Sequence, residues 1–377
     1  MNRLFLYLLV CIVFASCSGN KDQGTIFSKM LKAEEIVIPE SDVLNLKSYY
    51  LTASYEHLLY GYNRKEHALD VFDLQTLISK QIVMDFEGSD AVIGDVRALF
   101  VSSPDSIWLC DEALHIMLLD SKGKTFRILS VSDYLYEGET ALIERNHAMS
   151  TAQFFYDKQT ERILFGIRAH NAKQNGFLLR AVSLKSGDII DYALDNSISV
   201  PDVAGGMYAN MSKPNIAFAD GKVVYNYPVE SHVYVLDLGT GESTIYNGDS
   251  SFTKNIAEKC RNISDYNEWQ RHGIENPHFF EVMYLSDLQL YVRMHLGEHA
   301  LSSESNLTKV NDGRDLYLTI FDKHFIIKEE IKLPSYRYSY YTGWCSFPDG
   351  FCIFVDNSLG DSVNTEQLVM DYFKGVK

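Results

Sequence analysis

Residues 57–84 read His57-Leu-Leu-Tyr-Gly-Tyr-Asn63, a polar loop, Ala68-Leu-Asp-Val-Phe-Asp-Leu74, a short turn, and Ile78-Ser-Lys-Gln-Ile-Val-Met84. Three apolar runs of strand length are separated by polar connections, and the second run ends in Asp-Leu. The rest of the chain repeats this sentence with altered words. Val223-Val-Tyr-Asn-Tyr227 is followed by His232-Val-Tyr-Val-Leu-Asp-Leu238, a Gly-Thr-Gly turn, and Ser243-Thr-Ile-Tyr246. Tyr60 to Asp73 spans 13 residues and Tyr225 to Asp237 spans 12.

Four more copies follow the same order. They begin at Ser106-Ile-Trp-Leu-Cys110, Arg162-Ile-Leu-Phe-Gly-Ile167, Leu290-Tyr-Val-Arg-Met294 and Gly350-Phe-Cys-Ile-Phe-Val355. The closing Asp recurs as Asp73, Asp120, Asp237 and Asp322, and Ser183 replaces it once. An Asp where a strand meets a turn can accept hydrogen bonds from the turn's amides, so this series reads as structural. The runs are rich in Val, Ile, Tyr and Phe and bounded by Gly, Asp, Asn and Ser, which are strand and hairpin signals.

A further apolar run precedes most copies, as at Ala98-Leu-Phe-Val-Ser102, Phe154-Phe-Tyr156, Ile216-Ala-Phe218 and Val282-Met-Tyr-Leu285. Four strands per unit, at a period of roughly 40–50 residues, is the pattern of propeller blades. A lone four-stranded meander cannot bury both faces, whereas a radial array buries each blade against its neighbours. The expected fold is all-β: a six-bladed β-propeller of four-stranded antiparallel blades. A β-sandwich followed by a second all-β domain is the alternative, and a seventh blade requires the N-terminal segment to form its own unit. The last copy lacks a fourth strand. The run Glu34-Glu-Ile-Val-Ile-Pro39 is predicted to supply it and so close the ring, with Pro39 at a strand end. Thr25–Lys32 reads as a short helix.

The chain divides into three parts. Residues 1–16 form a lipoprotein signal peptide, with Arg3 followed by an apolar run of 11 residues, Leu4–Phe14, too short to span a bilayer. Phe14-Ala15-Ser16-Cys17 resembles a bacterial lipobox, which makes Cys17 the lipid attachment residue. Residues 17–30 form a flexible tether, and residues 31–377 a single propeller domain. By resemblance to lipoprotein sorting rules, Ser18 after the Cys favours the outer membrane; the facing leaflet stays open.

Formal charge is −16 across 377 residues, with no run of five like charges. Such a surface repels nucleic acid, which is not an expected partner. Beyond Cys11 and Cys17, the cysteines are Cys110, Cys260, Cys345 and Cys352. Only the last two are close, around the turn Phe347-Pro-Asp-Gly350. A bridge between them and buried free thiols are both open, the second favoured.

In a propeller whose strands run A to D outward from the axis, B–C loops share a face with the D-to-next-A connections. Here those segments are the long ones: Arg168–Asn175, His295–Arg314, Asp356–Glu366, Ser132–His147, Asn196–Pro214 and Asp249–Pro277. Long loops on one face of a rigid scaffold are where function concentrates. In the largest insert, Ile256, Cys260, Ile263, Tyr266 and Trp269 have a rough helical spacing over 251–269, which predicts a helix packed on the rim or capping the opening. Tyr266 and Trp269 are therefore candidate ligand-face residues.

His295, Glu298 and His299 are the other candidates. They match the His-x-x-Glu-His pattern of inverted zinc proteases, which needs a helix. Gly297 within the motif and the polar loop after it argue against one, so neither metal nor catalytic residues are assigned. Tyr336, Tyr338 and Tyr340, with Tyr341 and Trp344, alternate as if lining one strand face. No Gly-rich phosphate loop or Gly-x-Ser-x-Gly elbow occurs, so no cofactor is implied.

With its lipobox, tether and Tyr-rich blades ending in Asp-Leu, the chain resembles the six-bladed TolB/NHL-like propeller lipoproteins of Bacteroidetes, a domain family of unknown function. That resemblance implies a propeller in the cell envelope and carries over no catalytic residue. The functional expectation is a non-enzymatic outer-membrane module that binds an envelope protein or glycan on its long-loop face. An extracellular enzyme acting on glycan or peptide, with carboxylates in the central funnel, is the alternative.

Overall fold

A computed structural model describes residues 28–38, 48–49, 51–143, 154–170, 175–195, 208–219, 221–302, 305–339, 343–360 and 367–376. The expected signal peptide, Cys17 and most of the expected tether lie outside these residues.

Strand β1 (Leu31–Ile38) precedes five consecutive blades. Blade I comprises β2 (Thr52–Tyr55), β3 (Leu58–Asn63), β4 (Ala68–Asp73) and β5 (Ser79–Val83). Blade II comprises β6 (Ala98–Ser103), β7 (Ser106–Cys110), β8 (His115–Leu119) and β9 (Thr125–Ser130). Blade III holds β10 (Glu139–Ala141), β11 (Phe154–Asp157), β12 (Arg162–His170), β13 (Asn175–Ser183) and β14 (Ile189–Ala193). Blade IV comprises β15 (Asn215–Ala219), β16 (Lys222–Asn226), β17 (Val233–Leu236) and β18 (Ser243–Tyr246). Blade V comprises β19 (His278–Leu285), β20 (Leu290–Leu296), β21 (Leu316–Asp322) and β22 (Ile327–Lys332).

Blade VI takes β23 (Trp344–Phe347), β24 (Gly350–Phe354) and β25 (Leu368–Gly375) from the C-terminus and β1 from the N-terminus. The protein is thus a six-bladed propeller closed by its N-terminal strand. All eight residues of β1 pair antiparallel with β25, from Leu31 opposite Gly375 to Ile38 opposite Leu368. Leu31 is fully buried in a cluster with Leu285, Phe351 and Phe373, so closure also fills core volume between blades V and VI.

Two rows of the repeat explain why these sequences make blades. The middle strands β3, β7, β12, β16, β20 and β24 are buried almost throughout, as strands covered on both faces must be. The outer strands carry exposed apolar residues, such as Val83, Phe126, Ile190 and Ile245, and Ile78 stands just ahead of β5. The repeat Asp caps its turn as expected. Asp73 Oδ1 accepts from the amides of Gln75 and Thr76, Asp237 Oδ1 from Gly239 and Thr240, and Asp322 Oδ1 from His324 and Ile326. Ser183 Oγ accepts from Lys185 and Ser186 in the same place.

Several expectations are corrected. Thr25–Lys32 is not a helix: Leu31 and Lys32 already belong to β1, and residues 28–30 form a bend, with 25–27 outside the described residues. Pairing with β25 takes precedence over local helical spacing. Of Arg168–Asn175, the ends belong to strands, since β12 and β13 stay paired to His170 and Asn175, and 171–174 lie outside the described residues. The 132–147 connection contains β10, which extends the inner edge of blade III against β12.

The tyrosine series does not line one strand face. Tyr336 sits in a turn at φ 59°, Tyr338 is buried with its hydroxyl on Asp371, and Trp344 opens β23. Tyr340 and Tyr341 lie outside the described residues. Cys345 and Cys352 face each other directly across β23 and β24 as free, buried thiols.

Candidate functional site

Among the described residues, two of the long connections, 249–277 and 297–315, carry helices and pack together. Helix α1 (Tyr266–Glu275) begins later than the apolar spacing predicts, because Asp265 caps it: its side chain accepts from Asn267 N–H and Glu268 N–H. Residues 251–264 therefore run as irregular chain rather than as the expected helix. Helix α2 (Leu307–Asp312) lies in the connection between β20 and β21, capped by Asn306, and packs against α1.

Arg314 locks the two connections together. Its guanidinium donates to the carbonyls of Gly273 at 2.7 Å, Asn276 at 2.8 Å and Gly297 at 2.8 and 3.0 Å. Gly273 and Asn276 carry carbonyls at the C-terminal end of α1, which a helix leaves without intrahelical partners and which favour a cation. Nothing in the local sequence around Arg314 announces this role, because its partners lie 17 to 41 positions away.

The predicted candidates separate. Tyr266 opens α1 and is 64% exposed, with its ring 6.1 Å from that of half-buried Trp269. Glu298 receives the Lys254 amide on both oxygens at 3.2 and 3.3 Å, and the His299 amide donates to Ile274 O at 2.9 Å. These two residues tie the β20–β21 connection to the 249–277 insert.

His295 belongs elsewhere: it lies on β20, fully buried, stacked between Phe279 and Tyr317. The His-x-x-Glu-His stretch is thus split between a strand and a loop, with His299 exposed. Among the described residues no group of three His, Cys, Asp or Glu side chains is placed to hold a metal ion.

His295 shares its surroundings with Arg293, Thr319 and Glu330. Arg293, fully buried, stacks on Phe279 and donates to Ser231 O at 2.5 Å and Gly248 O at 2.7 Å. Burial pushes its pKa down to about 9, against the opposing pull of Glu330 and Asp249. Burial, then the Arg293 cation, hold His295 well below the ordinary imidazole range. This polar cluster joins blades IV and V and is not open to solvent.

The four aromatic and aliphatic side chains that stand out on the 249–277 insert are Phe252 (50% exposed), Ile256 (50%), Ile263 (40%) and Tyr266. Ser250, Ala257, His272, Ile274 and Asn276 of the same insert are buried beneath them. The insert thus presents four exposed apolar side chains among exposed polar ones such as Glu258, Lys259, Arg261 and Asn262, on a segment that also buries side chains of its own.

At the other end of the axis, the innermost strands of all six blades enclose a cavity of about 490 Å³. Its lining includes the A–B turn residues Glu56, Ser286 and Pro348, which puts its mouth on the short-turn face. Glu281, 6% exposed, lies deeper, where β19 bulges between Phe279 and Val282, and accepts from Trp344 Nε1 at 2.6 Å. The cavity could not be foreseen, because each blade contributes only a few residues to it.

Comparison with known proteins places this architecture. No curated protein matches the chain. A crystal structure of a DUF4221 family member from Bacteroides vulgatus is similar at TM-score 0.67 and 16% identity, over 92% of this chain and 98% of that one. A Bacteroides fragilis protein that carries the name of an exported protein is similar at TM-score 0.58 and 12% identity, over 94% of this chain and 98% of that one. At these identities the likeness shows the fold. The sequence profile of DUF4221, a domain of unknown function, matches residues 26–331, and the chain belongs to that family.

Proposed function

We propose that this protein is a non-enzymatic, outer-membrane-anchored binding module that docks an envelope protein on its long-loop face. The single observation that carries the reading is the set of exposed apolar side chains on the 249–277 insert, Phe252, Ile256, Ile263 and Tyr266, interspersed with exposed polar residues on a segment that also buries Ala257, His272 and Ile274. Large apolar side chains set among polar ones are the composition of a protein contact. Aliphatic Ile256 and Ile263 suit a protein better than a glycan, whose rings stack on aromatic faces.

Anchoring rests on the lipobox ending at Cys17. The structurally similar Bacteroides fragilis protein that carries the name of an exported protein is in keeping with an envelope location. The enzyme alternative needs a close carboxylate pair at the axis. The cavity's two carboxylates do not offer one. Glu56 is at the mouth, and Glu281 lies four residues before the end of its strand, roughly 13 Å deeper at strand rise.

The test is affinity capture from mildly solubilised envelopes. The bait is the lipidated protein, compared with a form carrying Phe252→Ser, Ile256→Ser, Ile263→Ser and Tyr266→Ser. Deleting the whole insert would remove buried Ala257 and Ile274, so surface changes are the cleaner choice. A stoichiometric protein lost with the four changes, but retained with Ile78→Ser and Val83→Ser at an outer strand, is the expected result. Capture that ignores the four changes contradicts the reading.

A further inference from the structure

We propose that the axial cavity on the short-turn face is a binding site for a small organic cation, a protonated or methylated amine on an apolar body. Three observations point there, none involving the long-loop face.

The first is charge. Glu56 and Glu281 line the cavity, and among the described residues no Lys, Arg or His does. The charged groups that an anion would meet there are carboxylates, and in a partly desolvated cavity that repulsion is weakly screened.

The second is the wall. Phe100, Phe155 and Phe218 come from the innermost strands of blades II, III and IV, with successive ring centroids 6.2 Å apart. Ring order sets blade II opposite V and blade III opposite VI, so this wall faces Glu281 and Trp344 across the axis. Aromatic faces around a cation supply a quadrupolar attraction that strengthens as water is excluded.

The third is preorganisation. Glu281 is held by the Trp344 indole N–H at 2.6 Å, and Trp344 packs edge-on against Phe280 with centroids 4.8 Å apart. The bulge in β19 beside Glu281 is the kind of irregularity that re-aims a side chain. A carboxylate fixed this way loses little freedom on binding. The volume, about 490 Å³, suits a compact ligand.

The experiment is calorimetric titration of the folded protein with four probes: phenethylamine, choline, 2-phenylethanol and phenylacetate. The expected order is the two cations first, the neutral alcohol weaker, and phenylacetate without measurable binding. Glu281→Gln should weaken both cations about ten-fold or more and leave 2-phenylethanol unchanged. Glu298→Gln, on the opposite face, should change nothing. If Glu281→Gln fails to fold by circular dichroism, Phe218→Leu decides, since it keeps the carboxylate and must weaken both cations. Phenylacetate binding as tightly as phenethylamine, cation binding indifferent to these changes, or no cation binding at millimolar concentration would overturn the assignment.

Discussion

Arg180 and Asp191 lie opposite each other on β13 and β14, and the buried guanidinium donates from Nε and Nη2 to the two carboxylate oxygens, each at 2.7 Å. The same guanidinium reaches Glu139 on β10 at 2.7 and 3.1 Å. One side chain thus joins the inner edge of blade III to its outer strand. The position recurs. Three residues before each third-strand turn stand Asp70, Met117, Arg180, Tyr234, Thr319 and Asp371, and their second-strand partners are Gly61, Leu109, Phe165, Tyr225, Arg293 and Ile353. Five of the six blades place a polar group there. Asp70, for example, accepts from Tyr49, Asn63 and Gln81.

Removing Arg180 strands Glu139, whose side chain is only 4% exposed. Arg180→Leu should cost about 3 kcal/mol or more in urea unfolding, because a buried carboxylate loses its counter-charge. Adding Glu139→Leu should recover a substantial part of that loss. A double variant no better than the single one would show that packing, not charge, is at stake.

Closure by β1 should be required for the whole ring. Asp371 on β25 receives Arg337 at 2.5 and 2.6 Å, and Arg337 also reaches Glu35 on β1 at 2.8 Å. Deleting residues 28–38 should lower the melting temperature of all blades together, seen as one shifted transition by circular dichroism. Leu31→Ala, a milder change at a fully buried site, should cost about 2–4 kcal/mol.

Stability should fall on mild acidification through His295. Its pKa is held well below 6.5 in the native state, so below pH 6.5 the unfolded chain binds the extra proton. The contribution is complete above pH 6.5 and is lost as pH falls below it, at up to about 1.4 kcal/mol per pH unit. The groups facing the ring are Arg293, Ser250 and Glu330, the last at 3.6 Å. His67 and His272, also depressed by burial, are common to both proteins. The difference in stability between wild type and His295→Gln should therefore shrink from pH 7 to pH 5. A constant difference would contradict the assignment.

Thiol reactivity should discriminate among the cysteines. Burial pushes Cys345 up to about 12 and also raises Cys110 and Cys352, whereas Cys260 is partly exposed. Iodoacetamide at pH 8 should label Cys260 in the folded soluble domain and the other three only after denaturation, read by peptide mass spectrometry.

The blades were legible in the sequence because period-two runs and turn-capping Asp residues are local signals. Asp73, Asp237 and Asp322 each act within four residues of chain. The start of α1 was misplaced because Ile256, Cys260 and Ile263 mimic a helical stripe, while the deciding cap is Asp265. Arg314, Arg180 and the axial cavity were illegible for a shared reason. Their partners come from other strands, connections or blades, and spacing along the chain carries no trace of them.

The central claim, that the long-loop face docks an envelope protein, is tested most directly by site-specific photocrosslinking in intact cells. A benzophenone side chain would replace Tyr266 or Ile256 in one set and Ile78 or Ile190 at the outer strands in another. One discrete protein adduct is expected from positions 266 and 256 and none from 78 and 190. Equal adducts from both sets, or none from the insert while the protein is folded and anchored, would contradict it.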